Sequence, residues 1–242
     1  MNGPRTALVL EGPEGSLGAV ALRLVRLGLA VHYANFRDEA LLLLGQEEGR
    51  IRAIVVPPDI DPAEARRVCD EARSLASEGC VSLVVIGARP AAEVRAALHE
   101  AGASWAVWEP FDDGDLRFVL NSAMALPSEL APRSEPRAPV SLICWIQIGR
   151  TRSFGVLSSL SSRGGFVEMA QPLPVGTQVQ LEFGLGEMTV ETDARIIYRN
   201  APEEHRAPSL ALGCGVLFED IDSDDQERIR NFVRRRAARF TV

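Results

Sequence analysis

Lysine is missing from this chain: all 26 of its basic residues are arginine. That absence excludes every mechanism built on a lysine amine, from Schiff-base catalysis to a lysine that neutralises a transferring phosphoryl group. Histidine is scarce, with three scattered copies (His32, His99, His205) and no H-E-x-x-H pair. The four cysteines, Cys69, Cys80, Cys144 and Cys214, never stand in C-x-x-C spacing. Cys144 and Cys214 lie inside apolar runs, so buried thiols are expected in place of a metal site or a disulfide framework. No G-x-S-x-G elbow, Cys/His pair or carboxylate dyad is present, so neither an enzyme nor a cofactor is expected. Long apolar runs are absent too. Leu41–Leu44 falls far short of the roughly 20 residues that cross a bilayer, and Met-Asn-Gly-Pro-Arg lacks the apolar core of a signal peptide. The expectation is a cytoplasmic protein without membrane insertion.

What is present points to two domains in 242 residues, and the 46% hydrophobic content suffices for a core in each. The net charge of −7 argues against nucleic-acid binding. It is unevenly spread: through Pro127 the chain carries 12 arginines against 18 acids, and beyond it 14 against 15. The nearly neutral second part is the one able to host an anion.

In the first part, apolar strand-like runs at Thr6–Leu10, Ala30–Ala34, Ile51–Val56, Val81–Ile86 and Trp105–Trp108 alternate with helical patterns. Those patterns cover Leu17–Leu29, Arg37–Gln46, Pro62–Ala76, Pro90–Ala101 and Asp112–Met124. Five strands alternating with five helices through short turns imply an α/β doubly wound parallel sheet over 1–125. Gly12, Gly15 and Gly18, with Asp38 beyond the second strand, invite a dinucleotide-binding reading. The spacing is G-x-x-G-x-x-G, however, and a turn followed by close helix packing is the preferred explanation.

Pro127, Pro132, Pro136 and Pro139 then mark a semi-extended linker over 126–139. Two arginines four apart, Arg133 and Arg137, lie in it as R-x-x-x-R. From 140 to 242 the texture changes to alternating strands: Ser141–Ile148, Ser153–Leu160, Gly165–Met169, Gln178–Phe183, Glu187–Tyr198 and Leu210–Phe218. The turn spacing implies a small antiparallel β-barrel. Between the second and third strands stands a small-residue turn, Ser159-Leu-Ser161-Ser-Arg-Gly164-Gly165. A helix over Ser223–Arg239 closes the chain, with acids in its first turn, arginines in its last and a buried stripe of Ile229, Phe232 and Val233. Its arginine cluster, Arg234–Arg239, reads as a favourable solvated helix end. Arginine grips phosphate bidentately and stacks on nucleobases, and a Ser/Gly turn lets backbone amides approach a ligand. Together they suggest a phosphorylated nucleotide laid on the outside of the barrel.

The first part resembles the receiver domain of response regulators, chiefly through Gly102-Ala-Ser-Trp-Ala-Val-Trp-Glu-Pro110-Phe111-Asp-Asp-Gly-Asp-Leu116. Members accept a phosphoryl group on an aspartate after the third strand, beside acidic metal ligands, a hydroxyl after the fourth strand and a lysine after the fifth. Here the corresponding positions are Pro57, Gly87 and Glu109; Glu11 alone fits the acidic set, and Asp59 lies two residues late. The expectation is a pseudo-receiver that cannot be phosphorylated. The resemblance also implies possible homodimerisation through the face of the fifth strand, which carries Trp105 and Trp108; each of these is otherwise a plain core residue.

The second part resembles the PilZ domain, a bacterial receptor module for cyclic di-GMP. The resemblance rests on Arg133 and Arg137, on Ser159, Ser161 and Gly164 as a D/N-x-S-x-x-G-like turn, and on Leu173-Pro-Val-Gly176. Ile196-Ile-Tyr-Arg199, Gly213-Cys-Gly-Val-Leu-Phe218 and the final helix complete it. It implies that Arg133 and Arg137 fold over the nucleotide and clamp its phosphates, that Ser161 offers a hydroxyl, and that Gly164 permits close backbone approach. Arg163 either adds a phosphate contact or points to solvent. Ser159 stands where the family has Asp or Asn, and losing one good hydrogen bond there costs about 1–3 kcal/mol. Ligand binding would order the linker and reorient the receiver-like domain, signalling to a protein partner. The alternative is a PilZ-like protein that has lost its ligand and serves as an interaction scaffold.

Overall fold

A computed structural model of the chain describes residues 6–47, 49–76, 80–125, 135–202 and 209–242. The chain divides into two compact units, Met1–Pro132 together with Arg239–Val242, and Arg133–Ala238.

The first unit alternates β1 (Thr6–Leu10), α1 (Gly18–Arg26), β2 (Ala30–Ala34), α2 (Arg37–Gln46), β3 (Ile51–Val56), α3 (Pro62–Leu75), β4 (Ser82–Gly87), α4 (Ala92–Glu100), β5 (Ala103–Trp108) and α5 (Asp113–Ala123). The strands form one parallel sheet in the order β2-β1-β3-β4-β5. Every residue of β1 and β3 is buried. Helices cover both faces of a parallel sheet, which is why Ala7–Leu10 and Ala53–Val56 are continuous apolar runs with no polar alternation. Leu8, Ile54, Val56, Leu83 and Val85 face one core with α2 and α3 residues such as Leu44 and Val68. Val9, Val55, Val84 and Val107 face the other with Leu24 of α1 and Leu116 and Leu120 of α5. Side-chain caps start two of the helices: Asp61 accepts from the Ala63 amide ahead of Pro62, and Asp112 from the Asp115 amide. Trp108 is buried, and Trp105 is half-buried against the α5 core. The last residues return to this unit, where Phe240 is buried in one core and Val242 packs against the other.

The second unit consists of β6 (Ala138–Ile148), β7 (Thr151–Ser161), β8 (Gly164–Glu168), β9 (Gln178–Leu185), β10 (Met188–Asn200), β11 (Gly213–Asp220) and α6 (Ser223–Ala237). The six strands close into an antiparallel barrel in the order β10-β11-β8-β7-β6-β9. Strict alternation sets its faces: Val179, Leu181, Phe183 and Leu185 of β9 point in while Gln178, Gln180 and Gly184 point out. Phe183 stacks on Phe218, ring centroids 6.1 Å apart, at the centre of the core. Cys144 and Cys214 are buried free thiols in the same core, and burial pushes the Cys144 thiol up to about 12. α6 starts on Asp222, whose carboxylate accepts from the Asp224 and Asp225 amides, and it buries Ile229 and Val233. The helix ends at Ala237, before Arg239, because the chain tightens into a 3-10 turn over Ala238–Phe240 on its way into the first unit.

Candidate functional site

Of the residues of the expected nucleotide site, Arg137, Ser159, Ser161, Arg163 and Gly164 lie where β6 begins and β7 turns into β8. β6 starts at Ala138, three residues earlier than its apolar pattern, and pairs Ala138 with Leu160 and Pro139 with Ser159. Arg137, half-buried, immediately precedes that ladder. Arg133 lies outside the described residues. On the other side β7 pairs Ser159 with Phe166, Leu160 with Gly165 and Ser161 with Gly164. The register slips in both ladders beside Ser159, between Pro139 and Leu142 and between Leu157 and Ser159. A bulge of this kind breaks strict alternation and re-aims a side chain, and here both Ser158 and Ser159 are half-buried. The small-residue stretch is therefore mostly strand. Only Ser162 and Arg163 remain as the two-residue hairpin turn.

Ser161 is buried, and its hydroxyl donates to the Gly164 carbonyl at 3.0 Å, closing the hairpin from within. Its oxygen keeps acceptor capacity, but its proton is engaged. Gly164 has a φ of +157°, and a Cβ there would stand 2.1 Å from the Val216 carbonyl oxygen. Its lack of a side chain is thus required by close approach to β11, whatever a ligand demands. The Arg163 carbonyl accepts from the Phe218 amide at 2.9 Å, pinning the turn to β11. Its side chain projects into solvent. Ser162 is buried, and its hydroxyl has no partner among the described residues.

α6 fixes this corner of the barrel in a way that spacing along the chain does not reveal. Arg230 faces Glu135, the acid inside the R-x-x-x-R segment, at 3.4 Å, and also bonds Glu227 one turn back. Arg236 donates through Nε to the Pro139 carbonyl at 3.0 Å, and Gln226 donates to the Ser162 carbonyl at 3.4 Å. Arg236, read from the sequence as part of a solvated helix end, is half-buried and holds the strand that follows Arg137. Sequence reading missed Glu135, Gln226 and Arg230. Their one signal is the spacing of Glu227 and Arg230 on a helix face, and it says nothing about the barrel corner.

At the carboxyl end of the first unit's sheet, where a receiver would hold its phosphoryl site, the space is filled. Glu11 is buried, and its carboxylate accepts from the Leu17 and Gly12 amides and from the Tyr33 hydroxyl at 2.6 Å. Burial raises the Glu11 pKa, but the Tyr33 hydroxyl and the amides outweigh it and hold the carboxyl below its ordinary 4.5. The same hydrogen bond, with burial behind it, pushes Tyr33 up to about 12. A Cβ on Gly12 would meet Pro57 Cγ at 2.4 Å, and one on Gly87 would meet Pro58 Cδ at 2.8 Å. Asp59 is turned to the Glu14 amide at 3.2 Å. The prolines therefore occupy the ground between the strand ends, and the one fitting acid is spent on folding the loop into α1. Among the described residues no three His, Cys, Asp or Glu side chains gather as a metal set, and no helix is long and apolar enough to cross a membrane.

Residues 131–235 match the family model of the PilZ domain. No curated protein matches the chain by sequence. Among solved structures, the chain is similar to the inhibitor of motility MotI/DgrA of Bacillus subtilis, at 20% identity and a TM-score of 0.39. That likeness covers 48% of this chain and 56% of the Bacillus protein, so just over half of the latter's length is spanned. The PilZ domain with c-di-GMP of YcgR from Escherichia coli is similar over 44% of this chain and 92% of that one, at 15% identity and a TM-score of 0.36. The chemotaxis protein CheY4 of Vibrio cholerae is similar over 50% and 99% of the two chains, at 15% identity and a TM-score of 0.41.

Proposed function

With a PilZ domain at residues 131–235 as the premise, we propose that this chain is a cyclic di-GMP-binding effector, not an enzyme. The observation that carries the reading is the ladder Ala138↔Leu160 and Pro139↔Ser159, which sets Arg137 beside the end of β7 and its Ser159–Gly164 hairpin. An arginine directly before this ladder, the serines of the hairpin and a solvent-facing second arginine, Arg163, suit a phosphodiester with guanine edges. Arg133, Arg137, Ser159, Ser161, Arg163 and Gly164 form the proposed site, with Gly164 shaping the hairpin. The unit boundary between Pro132 and Arg133 falls directly before the clamp. Closing the arginines over the nucleotide would therefore bias the orientation of the receiver-like unit, and this change would be the signal.

The filled strand ends and the engaged Glu11 support a first unit that transmits without being phosphorylated. Its partner is a protein. A second copy is a candidate through β5, which is the sheet edge carrying Trp105; sedimentation showing a strict monomer at micromolar concentration removes that candidate. Cytoplasmic placement follows from the ligand, which is an intracellular nucleotide.

Calorimetric titration of the whole chain with cyclic di-GMP tests the reading, with Arg133→Ala and Arg137→Ala beside it. Saturable heat that either substitution abolishes supports it, and no heat at tens of micromolar protein ends it. The second reading, a PilZ scaffold without ligand, is favoured by two observations: Ser159 in place of Asp or Asn, and the internal bond that engages the Ser161 proton.

A further inference from the structure

The outer face of the barrel opposite its core carries an apolar patch that neither the nucleotide site nor the fold uses. Ile143 and Trp145 of β6 project outward beside Val156 and Phe154 of β7, paired Ile143↔Val156 and Trp145↔Phe154. Their fractional exposures are 66%, 41%, 36% and 67%. Trp145 and Phe154 meet edge to face, ring centroids 6.0 Å apart. Single exposed hydrophobics are ordinary; four contiguous ones built around an aromatic pair mark a recognition surface.

The border of the patch says what the partner carries. Trp145 pairs with Glu182 of β9, and Glu182 stands directly opposite Glu191 of β10. Like charges set directly across two strands repel. Arg152 answers only one of them, reaching Glu182 at 2.6 Å while its guanidinium lies 4.6 Å from the centre of the Trp145 ring. Glu191 is exposed, and no ion pair or hydrogen bond of the described residues reaches its carboxylate. Between these groups is a shallow recess of about 30 Å³, lined by Trp145, Gln147, Arg152, Gln180, Glu182 and Glu191. Arg152 already covers the Trp145 ring and answers Glu182, so Glu191 is the charge at this border left open to a cation from outside.

We propose that this face is the docking site for a cationic amphipathic segment of a partner protein: its apolar side on Ile143, Trp145, Phe154 and Val156, and a lysine or arginine at Glu191. The open carboxylate of Glu191 disfavours an anionic lipid surface, and a second copy of the chain is an outcome that the test separates. The patch shares β6 and β7 with the nucleotide corner, where Arg137 precedes one strand and Ser159 and Ser161 end the other. Docking itself does not rest on nucleotide binding.

The test titrates the whole chain with a peptide alternating leucine with arginine, and with its counterpart carrying glutamate for arginine, following tryptophan fluorescence and calorimetry. The expected result is saturable binding of the cationic peptide only. Phe154→Ser and the double substitution Glu182→Gln/Glu191→Gln each weaken it by roughly tenfold or more, as loss of a central contact does. Asp38→Asn, which removes an acid from the first unit, leaves it unchanged, and every variant keeps its melting temperature. No binding, equal binding of the two peptides, or equal loss in Asp38→Asn overturns the proposal. So does concentration-dependent dimerisation of the free chain that Phe154→Ser abolishes, or uptake by vesicles containing anionic lipid.

Discussion

The carboxylate of Glu135 meets the guanidinium of Arg230 at 3.4 Å, across a separation that no local pattern bridges. It ties the stretch directly before Arg137 to the terminal helix. A half-buried surface pair of this sort adds little to global stability, so its effect is expected on order. Glu135→Gln should leave the melting temperature nearly unchanged and speed limited proteolysis of the stretch before β6. Unchanged cleavage kinetics would deny the pair that role.

Ser159 borders a register slip in both ladders and is half-buried. Ser159→Asp is expected to tighten cyclic di-GMP binding by about ten- to a hundredfold, the worth of one good hydrogen bond to a buried partner. Calorimetry on the substituted chain decides it; equal or weaker affinity assigns the position no ligand contact.

Gly164 and Arg163 are neighbours with opposite sensitivities. Gly164→Ala forces a Cβ toward the Val216 carbonyl and strains a left-handed backbone. It should destabilise the barrel by roughly 3 kcal/mol or more in urea unfolding. Arg163→Ala should stay within about 0.5 kcal/mol of the parent in stability while weakening nucleotide affinity. A stable, well-folded Gly164→Ala variant would show that β11 yields at that point.

Tyr33 and Glu11 set a pH window for the first unit. Tyr33 is raised from 10.0 to about 12, so its contribution is complete below pH 10 and is lost as pH climbs toward 12. Glu11 is held below 4.5, so its contribution is present above that value and is lost as pH falls through the depressed one. The difference in melting temperature between the parent and Tyr33→Phe should be level from about pH 6 to 9 and shrink at both extremes. A difference that grows above pH 10 would contradict the hydrogen bond.

The architecture of both units was legible because it is written in repeating patterns. Continuous apolar runs such as Ala53–Val56 announced strands buried on two faces, and the alternation in Gln178–Leu185 announced a barrel wall. The unfitness of Pro57 and Glu109 for phosphoryl chemistry could also be read directly from residue types. What stayed hidden depends on contacts between distant segments. Gly164 looked like room for a ligand until Val216 was placed against it, and Arg236 looked like a solvated helix end until Pro139 came within its reach. The outer patch escaped for another reason: Ile143, Trp145, Phe154 and Val156 look like core in a string of letters, and only the barrel's inside–outside assignment exposes them.

Phe240 and Val242 belong to the cores of the first unit, although the barrel lies between them and the rest of it in sequence. The receiver-like unit is therefore discontinuous, and the barrel is, topologically, an insertion within it. Cutting the chain after Arg239 should lower the stability of the first unit and spare the barrel. An isolated 1–125 fragment is an incomplete unit, and binding or oligomer measurements made on it describe a molecule with part of its core removed.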